Sequence, residues 1–371
     1  MSGVEHFTTI ALISIIAFVS PIIAEKIKIP AVVLEIILGM VFGVSFLNVI
    51  YPSEWFSFLS LFGLIFLMFL AGLEIDAEKV LKSGHLKKVV AFFVLSLSLS
   101  VSFTTLAGLS LFYAIILTNV AVGVVVSVLR EIGIEKEEFD QLNIITALVS
   151  DFSTMFLLSI YFLTGYLQIA FAFAIILVFL VAYRFGKLVI WHFPGFISKW
   201  FSDEPSEIGV RGSLAIMILF VGLSSFLGVE TILGAFLAGV LLSITFRGGK
   251  KLYDKLYGMG FGFFIPIFFI KTGSELNIAH AGIGLGLILL LLAITFVVKI
   301  ISSMIFVPNF GLRKAMSMGL LQSTNLSLTI ASVAIGVTSG VISQIEATAL
   351  VSFAIISCLL FPTLFRLLYP R

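Results

Sequence analysis

The stretch LNIITALVSDFSTMFLLSIYFLTGY, residues 142–166, indicates a membrane-spanning helix, because it is long and apolar enough to cross a bilayer, yet it carries one carboxylate, Asp151. A second stretch, GIGLGLILLLLAITFVVKIISSMIFV, residues 282–307, carries one base, Lys299, in the same way. An ionised group in such a run costs several kcal/mol unless it is paired or hydrated. The two side chains are therefore the first candidates for a functional site.

The composition extends this pattern to the whole chain. Of the 371 residues, 60% are hydrophobic and 11% are charged, and the mean hydropathy is +1.22. A soluble globule of this composition would expose too much apolar surface, so we predict an all-α polytopic membrane protein. About thirteen transmembrane helices are expected, over residues 6–24, 30–50, 54–73, 88–111, 112–129, 142–166, 168–186, 212–228, 230–246, 257–273, 282–307, 314–336 and 345–369.

The basic residues predict the orientation. Every odd-numbered connection between the segments carries Lys or Arg, and the even-numbered ones carry none, so 20 of the 22 bases fall on one side. The positive-inside rule makes that side the cytoplasm. We therefore expect a multi-pass protein of the cell membrane with its N-terminus outside and its C-terminus in the cytoplasm. The two bases outside this pattern are Lys271, which can reach the outer interface, and Lys299, which cannot easily reach either interface.

Depth brings several polar residues to one level. At the rise of an α-helix, Lys299 lies about 13 Å and Asp151 about 16 Å from the cytoplasmic edge. Two further polar groups lie about 12–18 Å deep by the same measure: Thr118 and Asn119 in the fifth segment, and Gln322, Ser323, Thr324 and Asn325 in the twelfth. Such patches predict discontinuous helices, because unwound backbone is tolerated in a membrane only where it lines a cavity.

An internal repeat supports this interpretation. Residues 37–43 resemble residues 232–239, and residues 69–75 resemble residues 270–276. Both matches join segments that are seven apart, and an odd offset inverts the second copy in the membrane. The same offset pairs the fifth segment with the twelfth. We therefore predict inverted-topology repeats with two discontinuous crossing helices.

Several stretches resemble signatures of the monovalent cation:proton antiporter-2 family. They are PAVVLEIILG at residues 30–39, LFGLIFLMFLAGLEID at 61–76, LGAFLAG at 233–239, PIFF at 266–269 and the segment with Lys299. The resemblance covers nearly the whole membrane part. It implies an exchanger of Na⁺ or K⁺ for protons with a thirteen-helix fold, a homodimer and elevator-type alternating access.

The resemblance also implies a division of the chain, which would form one membrane transport domain over residues 1–371. Residues 1–80 and 212–276 would form the dimerisation scaffold, and residues 168–211 a linker helix and interfacial loop. Residues 88–166 and 282–369 would form the mobile core. No cofactor is implied, and no nucleotide-binding regulatory domain is expected, since the chain ends at Arg371.

In this family an acidic residue on the sixth helix binds cation and proton in alternation, and Asp151 occupies that place. Lys299 matches the basic charge partner on the eleventh helix. Ser150, Thr118, Asn119 and Asn325 are expected to add oxygen ligands of the kind that Na⁺ or K⁺ requires. Relatives often carry Asp, Asn or Gln where this chain has Ser150, so the ion preference does not transfer. Exchange at Asp151 alone would be electroneutral; loss of a proton from Lys299 as well would move two protons.

Other functions are compatible with parts of this pattern. Asp151 and Lys299 could form a purely structural ion pair, and the chain could be a monovalent cation channel or an uncoupled permease. A channel is disfavoured because no repeated filter-like loop occurs. An enzyme is not expected, because no catalytic triad, metal cluster or phosphate loop gathers at one depth. Lipid is the expected surrounding, and no nucleic-acid partner is predicted.

Overall fold

The structure is a computed structural model that describes residues 3–27, 29–50, 53–73, 85–132, 138–162, 181, 184, 207–227, 231–245, 250–275 and 284–369. The predicted linker over residues 168–211 lies outside these residues, apart from positions 181, 184 and 207–211. The seventh predicted segment, residues 168–186, lies outside them apart from positions 181 and 184.

The described chain is helical, and it contains no strand in these ranges. Its first seven helices are α1 (Gly3–Ile27), α2 (Ala31–Phe42), α3 (Glu54–Leu73), α4 (Leu86–Leu106), α5 (Leu111–Thr118), α6 (Val122–Ile132) and α7 (Glu138–Tyr161). The others are α8 (Ile208–Phe226), α9 (Thr231–Thr245), α10 (Lys250–Met259), α11 (Ile265–Glu275), α12 (Leu285–Ser303), α13 (Val307–Leu321), α14 (Ser327–Thr338) and α15 (Gln344–Leu368). A π-helical turn, Gly260–Phe264, joins α10 to α11, and Gly311 interrupts α13 with φ 78°.

Length and composition make eight helical spans of the described chain able to cross a membrane, and four shorter apolar helices accompany them. The side chains are distributed as lipid requires. On α8, Leu219 and Phe226 are 71% and 87% exposed, whereas Ser213 and Ser224 are fully buried. Apolar side chains thus face outward and polar ones inward. The predicted all-α polytopic membrane fold is confirmed, and the number thirteen stays a prediction.

The chain divides into two compact units. The first comprises Met1–Val19, Tyr51–Ala77 and Ser159–Lys271, and the second comprises Ser20–Ile50, Glu78–Leu158 and Thr272–Arg371. The second unit contains both predicted discontinuous segments, Asp151 and Lys299. It also takes in α2, which the sequence-based division assigns to the scaffold. The roles of scaffold and mobile core stay predictions.

In the first unit, two glycines let α3 and α9 approach closely. A Cβ atom at Gly72 would overlap the carbonyl oxygen of Phe236, and one at Gly239 would overlap the carbonyl oxygen of Phe69. Any larger residue would have to push backbone away from backbone. The missing side chains let the two backbones pack directly against each other, as in many helix pairs in membranes.

The second unit contains the counterpart of this contact. A Cβ atom at Gly273 would overlap the carbonyl oxygen of Ile36, one at Gly43 would overlap the backbone of Ser274, and the Val44 amide donates to the Ser274 carbonyl at 3.0 Å. The predicted repeat pairs α2 with α9 and α3 with α11. A contact of α3 with α9 then implies one of α11 with α2, and both contacts occur, which supports the inverted repeat.

The interior of the second unit positions the candidate site. α4 packs on α5 and on α12, α12 packs on α13 and α15, and α14 packs on α15. One face of α4 is buried along its length, through Val89, Phe92, Ser96, Ser100 and Thr104. These residues recur at helical spacing, so one face of α4 packs against the interior of the unit.

Candidate functional site

The fifth and twelfth predicted segments are both broken, and the two breaks touch. α5 ends at Thr118 and α6 begins at Val122, while α13 ends at Leu321 and α14 begins at Ser327. The amide of Ala121 in the first break donates to the carbonyl of Thr324 in the second at 2.7 Å. The prediction of two discontinuous crossing helices is confirmed.

The same dipeptide occurs at both breaks: Thr118-Asn119 in the first and Thr324-Asn325 in the second. Asn325 follows Asn119 by 206 residues, and α15 begins 206 residues after α7. The same shift carries Asp151 onto Ser357. The repeat thus holds in register from the break through the following long helix, although only one copy carries the carboxylate.

Lys299 anchors the first break. Its side chain is fully buried on α12, and its ammonium donates to the carbonyl of Thr118 at 2.6 Å. The ammonium also lies 5.6 Å from the centre of the Phe92 ring on α4, within cation–π range. Thr118 is the last residue of α5, where helix carbonyls carry a partial negative charge. A base at this point therefore compensates a helix end in the interior.

The pairing of Lys299 with Asp151 stays a prediction. Within the described part of the chain, the hydrogen bond of the Lys299 ammonium goes to the Thr118 carbonyl. Asp151 lies on α7, directly after Ser150, and is half-buried. A base that holds a helix end can balance a nearby carboxylate through its charge without touching it, because Coulomb attraction extends beyond hydrogen-bond distance.

A polar face of α7 lies beside these breaks. Asn143, Thr146, Ser150 and Thr154 recur every three or four residues and are all fully buried. The hydroxyls of Thr146, Ser150 and Thr154 have no hydrogen-bond partner among the described residues. Buried polar atoms usually have a partner, so this row of oxygens is equipped to bind water or a cation.

Gln322 connects α7 to the second break. Its amide nitrogen donates to the carbonyl of Asn143 at 2.9 Å, and its amide oxygen is buried without a partner in the described ranges. The Asn143 side chain in turn donates to the carbonyl of Phe139 at 3.0 Å. The break and the helix that carries Asp151 are thus joined directly.

The predicted site residues fall into two groups. The hydroxyls of Thr118, Ser323 and Thr324 donate to the carbonyls of Ala114, Gly319 and Leu321, in the helix that ends at each break, at 2.8–2.9 Å. By contrast, both amide atoms of Asn119, the hydroxyl of Ser150 and the amide oxygen of Asn325 are buried without a described partner. The second group offers hard oxygen ligands, the kind that an alkali cation prefers.

Sequence reasoning did not single out several residues that shape this region. The Phe92 ring packs against the Lys299 ammonium, and the Asn143 carbonyl accepts a hydrogen bond from Gln322. Ser357 and Cys358 on α15 form hydrogen bonds with the backbone of Asn325. Asn143 could have been found from its helical spacing to Ser150. Ser357 could have been found by carrying Asp151 through the repeat.

Among the described residues, no group of three His, Cys, Asp or Glu side chains could hold a metal ion. The region instead combines the carboxylate of Asp151, the base Lys299 and several neutral oxygens. A family model described as sodium/hydrogen exchanger, transmembrane, matches residues 14–368. The chain belongs to the sodium/hydrogen exchanger family. It is therefore a multi-pass membrane protein of a transporter class, not of an enzyme class.

Curated relatives agree with the sodium/hydrogen exchanger family. YjbQ of Bacillus subtilis (strain 168), which carries the name of a Na(+)/H(+) antiporter, is 36% identical over 98% of this chain. The match covers 63% of YjbQ, so the chain spans less than two thirds of that relative. The Na(+)/H(+)-K(+) antiporter GerN of Bacillus cereus is 27% identical, over 98% of this chain and 96% of GerN.

A solved structure shows the same fold. The sodium proton antiporter MjNhaP1 from Methanocaldococcus jannaschii, determined at pH 8, matches with a TM-score of 0.67. The match covers 98% of each chain at 16% sequence identity. The exchanger fold is thus shared although most side chains differ.

Proposed function

We propose that this chain exchanges Na⁺ or K⁺ for protons across the cell membrane, with cation and proton competing for Asp151. The observation that carries the proposal is the crossing of two broken helices around buried oxygens that have no described partner. Membership of the sodium/hydrogen exchanger family and the names of its relatives support the same conclusion.

Competition at one carboxylate is enough to couple the two ions. Protonated Asp151 is neutral, and ionised Asp151 is balanced by a bound cation, so both loaded forms avoid an uncompensated charge in the interior. An empty ionised site is disfavoured, which limits leak. The amide oxygens of Asn119 and Asn325 and the hydroxyl of Ser150 would complete the coordination of the cation. The helix ends at the breaks add oriented partial charges.

The expected exchange is one proton for one cation, and therefore electroneutral. In this account Lys299 keeps its proton throughout, because its ammonium holds the Thr118 carbonyl. Loss of that proton would replace a charge-assisted hydrogen bond by a weaker one between neutral groups, and would remove the positive charge that faces the carbonyl end of α5. A fixed charge on Lys299 leaves Asp151 as the group whose protonation changes.

Elevator-type movement and homodimerisation form part of the proposal. The chain divides into two compact units, which is the organisation that movement of one unit past another requires. We propose that the unit with the crossed breaks moves and that the first unit forms the dimer scaffold. The N-terminus would lie outside and the C-terminus in the cytoplasm, as the distribution of bases predicts.

Proton flux in proteoliposomes tests this function. The protein is reconstituted with a pH-sensitive dye inside, and Na⁺ or K⁺ is added outside with the membrane potential clamped by an ionophore or left free. Cation-dependent proton movement that is insensitive to the clamp is expected. Movement that depends on the potential would contradict electroneutrality, and cation current without proton flux would favour a channel or an uncoupled permease.

A further inference from the structure

The second break leaves peptide groups that the helix no longer satisfies. In a membrane interior such groups need another partner, since water is not at hand. α15 supplies partners for both peptide groups of Asn325. The Asn325 amide donates to the Ser357 hydroxyl at 3.1 Å, and the Cys358 thiol donates to the Asn325 carbonyl at 3.3 Å. Asn325 and Ser357 are fully buried, and Cys358 is 3% exposed.

The Ser357 hydroxyl differs from an ordinary helical serine. It accepts from the Asn325 amide, and its single proton can go to the carbonyl of Asn325 at 3.0 Å or of Ala354 at 2.8 Å. Ser332 on α14 is also buried, yet in the described part of the chain its hydroxyl donates to the carbonyl of Leu328, in its own helix, at 2.6 Å. A serine that bonds its own helix does not fix a neighbouring segment, whereas Ser357 does.

Fixing the peptide of Asn325 also fixes its side chain. The amide nitrogen of that side chain donates to the carbonyl of Ser323 at 3.2 Å, within the same break. Its amide oxygen is then directed away from this bond and is buried without a partner in the described chain. We call the two hydrogen bonds that join Ser357 and Cys358 to the Asn325 backbone the clamp. The clamp and the side-chain bond to Ser323 together leave one oriented acceptor oxygen on Asn325.

We infer that Ser357 is a positioning residue for the cation: it holds the Asn325 peptide so that the Asn325 side-chain oxygen is presented as a ligand. The inference rests on the proposed exchange of cation for proton. In the second repeat Ser357 stands where Asp151 stands in the first. One repeat therefore contributes the charge that binds the cation, and the other contributes a clamp that orients a neutral ligand.

A clamp of this kind acts on binding more than on turnover. Coordination of an alkali cation depends on small displacements of the ligand oxygens, and pre-organised ligands bind more tightly than ligands that must be ordered on binding. The competing proton needs Asp151 and not Asn325. Loss of the clamp should therefore weaken binding of the cation and leave the maximal rate of exchange near that of the parent protein.

The test compares Ser357→Ala with Ser332→Ala in proteoliposomes, using the full chain and Na⁺ or K⁺ as the varied ion. We expect Ser357→Ala to raise the KM for the cation about tenfold, or about 1.4 kcal/mol, with a maximal rate within about twofold of the parent. Ser332→Ala should leave both parameters unchanged. Ser357→Thr keeps the hydroxyl and should restore most of the affinity, and Cys358→Ala should raise the KM only about twofold, because a thiol donates weakly.

The opposite pattern would overturn the inference. A KM for Ser357→Ala equal to that of Ser332→Ala, or a lower maximal rate at unchanged KM, would make Ser357 a packing residue. If the alanine variant is not recovered as monodisperse protein, Ser357→Gly, which also removes the hydroxyl, is compared with Ser332→Gly in the same way; an unchanged KM in Ser357→Gly also rejects the role. The parent is measured in parallel, and its failure to exchange would reject the proposed function instead.

Discussion

The two helix breaks share a Thr-Asn pair but are held by different chemistry. In the first break, the charged Lys299 binds the Thr118 carbonyl at the end of α5. In the second, two neutral groups of α15, the Ser357 hydroxyl and the Cys358 thiol, bind the peptide of Asn325. One half of the crossing is thus organised by charge, and the other half by hydrogen bonds between neutral groups.

This difference separates two tasks that a symmetrical site would mix. A charged anchor adds a fixed positive charge to the electrostatic balance that a cation or a proton must complete. Neutral anchors cannot change that balance, but they decide where ligand oxygens lie. The asymmetry of the two anchors indicates that Lys299 acts on ion coupling and Ser357 on cation fit. Substitutions of these two anchors should therefore produce different kinetic signatures.

Asp151→Asn should have the largest effect. The amide has the shape of the carboxyl group but cannot ionise, so neither cation nor proton can be exchanged at this position. We expect cation-dependent proton flux to fall to the level of empty liposomes, while the protein remains monodisperse in detergent. The adjacent Ser150→Ala, which removes a neutral oxygen, is the matched control and should retain exchange with a raised KM. Full activity of Asp151→Asn would remove Asp151 from the mechanism.

Lys299→Met should come next, because it takes the charge and the hydrogen bond from the first break together. The Thr118 carbonyl would lose its donor in the interior, which costs about 1–3 kcal/mol of stability. We expect a lower melting temperature in detergent and at least a tenfold loss of flux. Lys299→Arg keeps the charge and should lose less on both measures. An unchanged melting temperature for Lys299→Met would show that Lys299 does not hold the break.

Asn119→Ala and Asn325→Ala compare the two halves directly. Each removes one buried oxygen that has no partner in the described chain. If both oxygens bind the cation, each variant should raise the KM for Na⁺ or K⁺ about tenfold, as expected for one lost ligand interaction of about 1.4 kcal/mol. Flux measured over a range of cation concentrations gives this value. A raised KM in only one variant would confine coordination to that half.

Ser323→Ala and Thr324→Val should have the smallest effect. Their hydroxyls donate to carbonyls of the preceding helix, α13, at 2.8 Å to Gly319 and 2.9 Å to Leu321. We expect the KM for the cation to change less than about twofold, because such local bonds contribute little. The same flux series measures both variants. A change as large as that of Asn325→Ala would place these hydroxyls among the cation ligands.

Much of the architecture could be predicted from the sequence for a physical reason: lipid tolerates few arrangements of polar groups. Polar patches inside two apolar segments predicted the breaks, and both occur at Thr-Asn pairs. The depth of Asp151 and Lys299 followed from helix rise. The positive-inside rule gave an orientation, which stays a prediction, as do the thirteen segments and the linker that lies largely outside the described residues.

The partners of the breaks could not be predicted in the same way. A serine in an apolar helix usually forms a hydrogen bond with the backbone of its own helix, as Ser332 does. The role of Ser357 therefore follows only from the structure, which places the Asn325 amide against its hydroxyl. Lys299 was expected to face a carboxylate, because charge pairing is the simplest rule for a buried base. A helix end is a less obvious partner, since it forms only once α5 stops at Thr118.

Proton release on cation binding shows whether cation and proton compete for Asp151. Purified protein in weakly buffered detergent solution is mixed with Na⁺ or K⁺, and the released protons are measured with a pH indicator. Competition at Asp151 predicts release of about one proton per chain, and none from Asp151→Asn. Cation binding without proton release, or equal release from Asp151→Asn, would contradict the claim that cation and proton compete for this carboxylate.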